Sequence, residues 1–123
     1  MTMIRQYSLL DDTKYKLFCV CVSCGKDLAV AISGGTKAHV GAVSLAVYEP
    51  ERDSATVSTI CAYTHRDDAV ATTVAKKLAT ALRCSVTVTA GIHIDDASKE
   101  EVELLLKAAF SCCDRIIKEK TQA

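Results

Sequence analysis

From Tyr15 to Val22 the chain reads Y-K-L-F-C-V-C-V, an aromatic and β-branched run that stops at the turn signal Cys24-Gly25-Lys26-Asp27. Leu28 to Ile32 resumes the apolar run, so these two segments are expected to form an antiparallel hairpin. Ser33-Gly34-Gly35-Thr36-Lys37-Ala38-His39 reads as a loop. Val40 to Tyr48 reads as a third strand, closed by Glu49-Pro50-Glu51-Arg52-Asp53, and Ala55 to Tyr63 as a fourth. The period then lengthens. Val70, Val74, Leu78 and Leu82 recur at helical spacing with Ala71, Ala75 and Ala79 beside them, which predicts a helix from about Asp67 to Leu82. Thr64 is its expected N-cap, and Asp67-Asp68 place carboxylates where they meet the positive end of the helix dipole. Ser85 to Ala90 alternates V-T-V-T as a fifth strand. Ser98 followed three residues later by Glu101 is a capping-box pattern that opens a second helix. Val102, Leu105, Ala109, Cys112 and Ile116 give that helix an apolar stripe, and Arg115, Lys118 and Lys120 suit its C-terminal end. The first fourteen residues read as a short strand or an arm.

The resulting order, β-β-β-β-α-β-α, predicts an α+β two-layer sandwich: a mostly antiparallel sheet of about five strands with two helices on one face. At 123 residues, with no repeat or low-complexity tract, a single domain over 1–123 is expected. Half of the residues are hydrophobic, enough for a core. Fifteen basic residues balance fifteen acidic ones, which argues against affinity gained by neutralising nucleic-acid phosphates. No apolar run reaches the roughly 18 residues of a membrane span. Met1 to Lys16 lacks the apolar h-region of a secretory signal, so a cytoplasmic location is expected.

Seven cysteines without such a signal read as free thiols, and most lie in apolar runs where a thiol packs as a small hydrophobe. Cys19, Cys21 and Cys24 form C-x-C-x-x-C, a pattern used for zinc or thiol chemistry. No second pair supplies further ligands, and alternation puts Cys19 and Cys21 on one face, where packing is the ordinary use. Cys61 and His65 allow a nucleophilic pair that nothing in the spacing requires.

Topology gathers the candidate chemistry. If the second, third and fourth predicted strands form a meander, the loop carrying His39 lies at one end of the sheet. The fourth strand then returns to that end and delivers His65. The first helix runs away from it, and the fifth strand comes back with Gly91-Ile92-His93-Ile94-Asp95-Asp96. All three histidines therefore belong to loops at one end, each beside polar groups: Gly34-Gly35-Thr36-Lys37 before His39, Arg66-Asp67-Asp68 after His65 and Asp95-Asp96 after His93. Both helices also start there. Free helix N–H groups, a glycine loop and cations suit an anion. Singly, each element has a plainer use as a turn, a helix cap or a hydrogen-bonded strand histidine; together they point to a binding site.

The ordered set Asp27-Leu28-Ala29-Val30, Gly34-Gly35-Thr36-Lys37-Ala38-His39-Val40-Gly41-Ala42-Val43, His65-Arg66-Asp67-Asp68 and Gly91-Ile92-His93-Ile94-Asp95 resembles the LpdD-like prenylated-flavin chaperone family. The likeness runs from about Cys24 to Ile117, and Thr64 and Arg66 stand where that family more often has glycine and lysine. The resemblance implies a small α+β protein that binds the reduced prenylated FMN made by a UbiX-type prenyltransferase and helps deliver it to a UbiD-type decarboxylase, without catalysis of its own. Under that implication Gly34, Gly35, Gly41 and Gly91 line the cofactor site, and Lys37 and Arg66 pair with the phosphate of prenylated FMN or FMN. His39, His65 and His93 hydrogen-bond the phosphate, the ribityl hydroxyls or the ring edge, with Asp67, Asp68 and Asp95 orienting them. A ligand so large on a chain so small implies a homo-oligomer with the site near a subunit interface. Two other readings remain open. His39, His65 and His93 with nearby aspartates could hold a divalent metal in a small metal-dependent enzyme, or the chain could be an assembly subunit that binds nothing small.

Overall fold

The computed structural model describes residues 4–62 and 67–122. Eight elements follow in order: β1 (Ile4–Leu9), β2 (Leu17–Cys24), β3 (Asp27–Gly35), β4 (Ala42–Glu49), β5 (Ser54–Cys61), α1 (Asp67–Leu82), β6 (Val86–His93) and α2 (Lys99–Thr121). The architecture is α+β, with two helices on one face of a sheet of six strands. The additional strand is β1, which falls within the N-terminal stretch expected as a strand or arm.

Alternation sets the two faces. Leu17, Cys19 and Cys21 of β2, Leu28, Val30 and Ile32 of β3 and Val86, Val88 and Ala90 of β6 all point into the core. Their intervening neighbours face away from the helices. α1 meets the core with Val70, Val74 and Leu78 and the small residues Ala71, Ala75 and Ala79, which let the helix lie close on the strands. α2 contributes Leu105, Ala109, Cys112 and Ile116. Its start is capped as the sequence predicts: Ser98 Oγ accepts from the Glu101 N–H at 3.1 Å, and the Glu101 carboxylate accepts from the Ser98 N–H at 2.9 Å. The β2–β3 hairpin also forms as expected, pairing Cys24 with Asp27 across the two-residue turn Gly25-Lys26.

One expectation is corrected. The sheet order is β1-β2-β3-β6-β4-β5, so β6 sits between β3 and β4, and the expected meander of three sequential strands does not exist. β6 runs parallel to β3 and antiparallel to β4. Alternating side chains specify which face a strand buries but not which strands lie beside it, and this is why the error arises. The direction of each strand is nonetheless the one a meander would give, so the ends of β3 and β6 and the start of β4 remain at one end of the sheet. The strand ends differ as well. β3 continues through Ser33-Gly34-Gly35, which read as loop, because its parallel pairing with β6 extends to Gly35 opposite His93. Thr64, the expected cap of α1, lies outside the described residues.

The buried thiols match the packing reading. Cys19, Cys21, Cys84, Cys112 and Cys113 are buried and Cys24 and Cys61 exposed, all of them free. A hydrogen bond to Cys112, with burial, holds the Cys19 thiol far above the ordinary range. Burial pushes Cys21 up to about 11 and Cys113 up to about 12. Protonated, enclosed thiols of this kind serve as core side chains. No helix among the described residues is long and apolar enough to cross a membrane.

Candidate functional site

Because β6 separates β3 from β4, the chain leaving Gly35 has to pass over the end of β6 to begin β4. Residues 36–41 make that crossing, and it determines the site. The loop lies directly on Gly91: a Cβ at that position would fall 1.6 Å from the His39 carbonyl oxygen, so only a residue without a side chain lets the two backbones approach. The crossing is tied down at both ends. Thr36 and Lys37 donate their N–H groups to the His93 carbonyl at 2.7 and 3.3 Å, and Gly41 donates to the Ala90 carbonyl at 2.9 Å. The Thr36 hydroxyl adds a bond to the same His93 carbonyl at 3.2 Å and accepts from the Asp95 N–H at 3.3 Å.

At the far side of β6 stands Asp67, the first residue of α1 and, with Ser44, one of two buried polar residues among those described. β4 pairs with β6 only as far as Ala90, so on that side of β6 no strand accepts the Ile92 N–H, while β3 continues along the other side. The Asp67 carboxylate accepts that N–H at 3.0 Å through Oδ1. Its Oδ2 lies 3.0 Å from His39 Nε2, and His39 Nδ1 lies 3.0 Å from the Lys37 carbonyl. The imidazole is thus held between loop and helix. Gly41 leaves room for this contact, since a Cβ there would come within 2.0 Å of Asp67 Oδ2.

A second histidine–carboxylate pair sits alongside. His93 Nε2 is 3.0 Å from Asp95 Oδ1, and Lys37 Nζ approaches the same oxygen at 3.3 Å. The His93 hydrogen bond first, and Lys37 next, hold the Asp95 carboxyl below its ordinary range. The two imidazole rings stand 6.5 Å apart, edge to face, at 75°. Asp67 and His93 also border a cleft of about 220 Å³ between the end of β6 and the two helix starts. Its walls are apolar: Val70 from α1, Ile92 and Ile94 from β6 and the segment after it, and Leu105 and Leu106 from α2, with Ala97 and Val102 completing it.

The sequence-predicted residues divide accordingly. Lys37, His39, Gly41, Asp67, Gly91, His93 and Asp95 come together. Gly34 and Gly35 lie beneath them, where the space of a Cβ is taken by the Lys16 and His93 carbonyls. Asp68 is exposed on the first turn of α1, on the side of Cys61, whose thiol is raised by local desolvation and by Asp68 and Asp67. His65 and Arg66 lie outside the described residues. Among the described residues, no three His, Cys, Asp or Glu side chains form a group that could hold a metal ion.

Comparison with known proteins decides the family. The sequence profile for the prenylated flavin chaperone LpdD-like domain matches residues 11–121. The chain belongs to the LpdD-like family. Protein LpdD of Lactiplantibacillus plantarum is 26% identical over 88 residues, which are 72% of this chain and 65% of that protein. A crystal structure of a chaperone complex for yeast 20S proteasome assembly shares the fold with a TM-score of 0.63, covering 97% of this chain and 99% of that one at 13% identity. At that identity the likeness is one of fold.

In this LpdD-like chain, sequence reasoning missed Thr36 and the cleft walls. Thr36 lies inside the quoted glycine loop, but its role depends on a carbonyl 57 positions away. Ile92 and Ile94 flank His93 in sequence and carried a usable signal, since apolar residues bracketing a histidine at a strand end suggest an apolar pocket beside it. Val102, at the head of the apolar stripe of α2, is 43% exposed and borders the cleft.

Proposed function

We propose that this protein binds reduced prenylated FMN at the histidine end of the sheet and assists its delivery to a UbiD-type decarboxylase, acting as a cytoplasmic carrier and not as a catalyst. The observation that carries the reading is the junction of two chemistries: an apolar cleft opens beside a rim of His93, Asp67, Asp95 and Lys37. A flavin nucleotide has the matching division, an apolar ring system at one end and a phosphate at the other. The apolar walls Ile92, Ile94, Leu105 and Leu106 would take ring surface. Lys37, released from Asp95, and Arg66 would pair with phosphate, and His39 and His93 would hydrogen-bond ribityl or ring-edge oxygens. Bound prenylated flavin supplies the decarboxylase's chemistry. This chain's residues hold it and exclude solvent.

The cleft is below the roughly 300–1,000 Å³ of a pocket that encloses a drug-sized ligand. That size favours a site completed by a second protein surface at the cleft mouth, on the helix side of the sheet. Anaerobic titration with FMN and with reduced prenylated FMN, on wild type and His93→Ala, tests the proposal. Binding of the prenylated form is expected to raise the melting temperature, since a ligand at 100 times its Kd adds about 2.7 kcal/mol, and the variant is expected to lose at least tenfold in affinity. Absence of a shift with either flavin would overturn the reading and leave the assembly-subunit alternative.

A further inference from the structure

Both helices lie on one face of the sheet, and no described element covers the other. That open face is unusual in its chemistry. β4 presents Val43, Leu45 and Val47, each 41–46% exposed, and β2 presents Phe18, 46% exposed, with Val20 and Val22. Between Asp27 and Glu49 at one end and His93 at the other, the described strands place no charged side chain on this face. Antiparallel sheets that face water normally alternate apolar-in with polar-out, and an apolar area this large marks a contact surface.

We propose that the open face is where a second copy of this chain docks. The argument is one of self-complementarity. Across the sheet, large residues stand on β2 and β4, small ones on β3 (Ala29, Ala31) and β6 (Thr87, Thr89), and β5 carries Thr56, Ser58 and the 77% exposed Ile60. A two-fold axis running along β6 sets the β4 ridge of one copy over the β3 alanines of the other. The same axis sets the β2 ridge over Thr56, Ser58 and Ile60 of β5, and β6 over itself. Large meets small where β4 faces β3, which is how two sheets interdigitate, and apolar surface meets apolar surface where β2 faces Ile60. An isologous contact of this kind needs a patch that fits itself, and this one does. The area suffices too. Five strands about 4.8 Å apart and about 26 Å long present roughly 620 Å² per copy, so the pair buries about 1,200 Å², the lower bound of a stable interface. The strands themselves bring no ion pair to be desolvated, and the Lys16 ammonium, 4.9 Å from the Phe18 ring centre, lies at the border of the patch with its side chain 45% exposed.

The inference does not depend on flavin binding, and one set of measurements separates the two. Sedimentation of the full chain between 1 µM and 500 µM is expected to give a dimer that dissociates on dilution. Leu45→Lys is expected to raise the dimer dissociation constant at least 100-fold with an unchanged circular dichroism spectrum. A wild type that stays monomeric throughout overturns the proposal, as does a Leu45→Lys protein that dimerises like wild type, which would point to another surface such as the β5 edge. Should Leu45→Lys fail to fold, hydroxyl-radical footprinting of wild type decides. Protection of Leu45, Val47 and Phe18 that grows with concentration supports the face, and concentration-independent rates overturn it. A flavin-induced thermal shift, recorded on the same samples, reports on the cofactor reading alone.

Discussion

The two ends of this sheet are built by different means. At one end the connections are local. β2 turns into β3 through Gly25-Lys26, and β4 into β5 through Pro50–Asp53, where Arg52 and Asp53 donate to the Glu49 and Pro50 carbonyls at 3.1 and 3.3 Å. At the other end the chain from β3 must cross β6, and apart from the bond between His39 Nδ1 and the Lys37 carbonyl the contacts that hold the crossing join residues far apart in sequence. His39 meets Asp67, Thr36 meets His93, and the His39 carbonyl rests on Gly91. The contrast teaches where this fold concentrates constraint. Local turns position strands, whereas the crossing brings two histidines, two carboxylates and a lysine into one place and fixes them before any ligand arrives.

The contrast makes glycine substitution at the two ends unequal. Gly91→Ala drives a Cβ into the His39 carbonyl, and no flexible side chain is available to yield. A loss of about 3 kcal/mol is expected in urea unfolding, the upper end of overpacking costs, together with exposure of the crossing loop to proteolysis. Gly25→Ala meets nothing within 4 Å, and its only penalty is the backbone angle of +64°. About 1 kcal/mol is expected there. Equal losses at both positions would break the comparison.

Asp67→Ala comes next in size. It strands the Ile92 N–H in a partly buried setting and removes the oxygen beside His39. About 2 kcal/mol is expected from denaturant unfolding, with hydrogen exchange at Ile92 accelerating more than at Val86 or Val88. Unchanged exchange at Ile92 would show that the carboxylate does not cap β6.

The smallest effect sharpens the comparison from within the histidine end, where the start of α2 is held by its own capping box and by Lys14 and Tyr15 from a distant segment. The Ser98 N–H, with Tyr15 and Lys14, lowers the Glu101 carboxyl from its ordinary 4.5 to about 2. A carboxyl lowered on folding stabilises above its unfolded value and loses that contribution as pH falls toward the folded one. The melting-temperature gap between wild type and Glu101→Gln is therefore expected in full at pH 6, and to close between pH 4.5 and 2. A gap that persists at pH 2 would assign the difference to something other than charge.

Much of this was legible in the chain. The capping box Ser98–Glu101, the helix over 67–82 and the hairpin around Gly25 each depend on residues within a few positions of one another, and each appears where the spacing put it. Lys37, His39, His93 and Asp95 were also assigned to one end, because strand direction follows from counting reversals. The insertion of β6 between β3 and β4 was not legible. Val86-Thr87-Val88-Thr89 alternates in the same way whether its neighbours are β3 and β4 or solvent.

What followed from that insertion was equally out of reach. Asp67 reads in sequence as a helix-start carboxylate, with the dipole as its only partner. In the fold it is a buried acceptor for an N–H that β4 leaves unpaired and for the imidazole of a loop crossing overhead. Gly91 reads as part of a family motif, and its reason is a backbone 52 positions away. The sequence by itself determined the elements, their caps, the buried face of each strand and the residues available for chemistry, because these rest on local periodicity and short-range hydrogen bonds. Only the tertiary structure decided the order of the strands, the crossing over Gly91, the cleft beside His93 and the uncovered sheet face, because each is a contact between segments whose separation along the chain carries no pattern of its own.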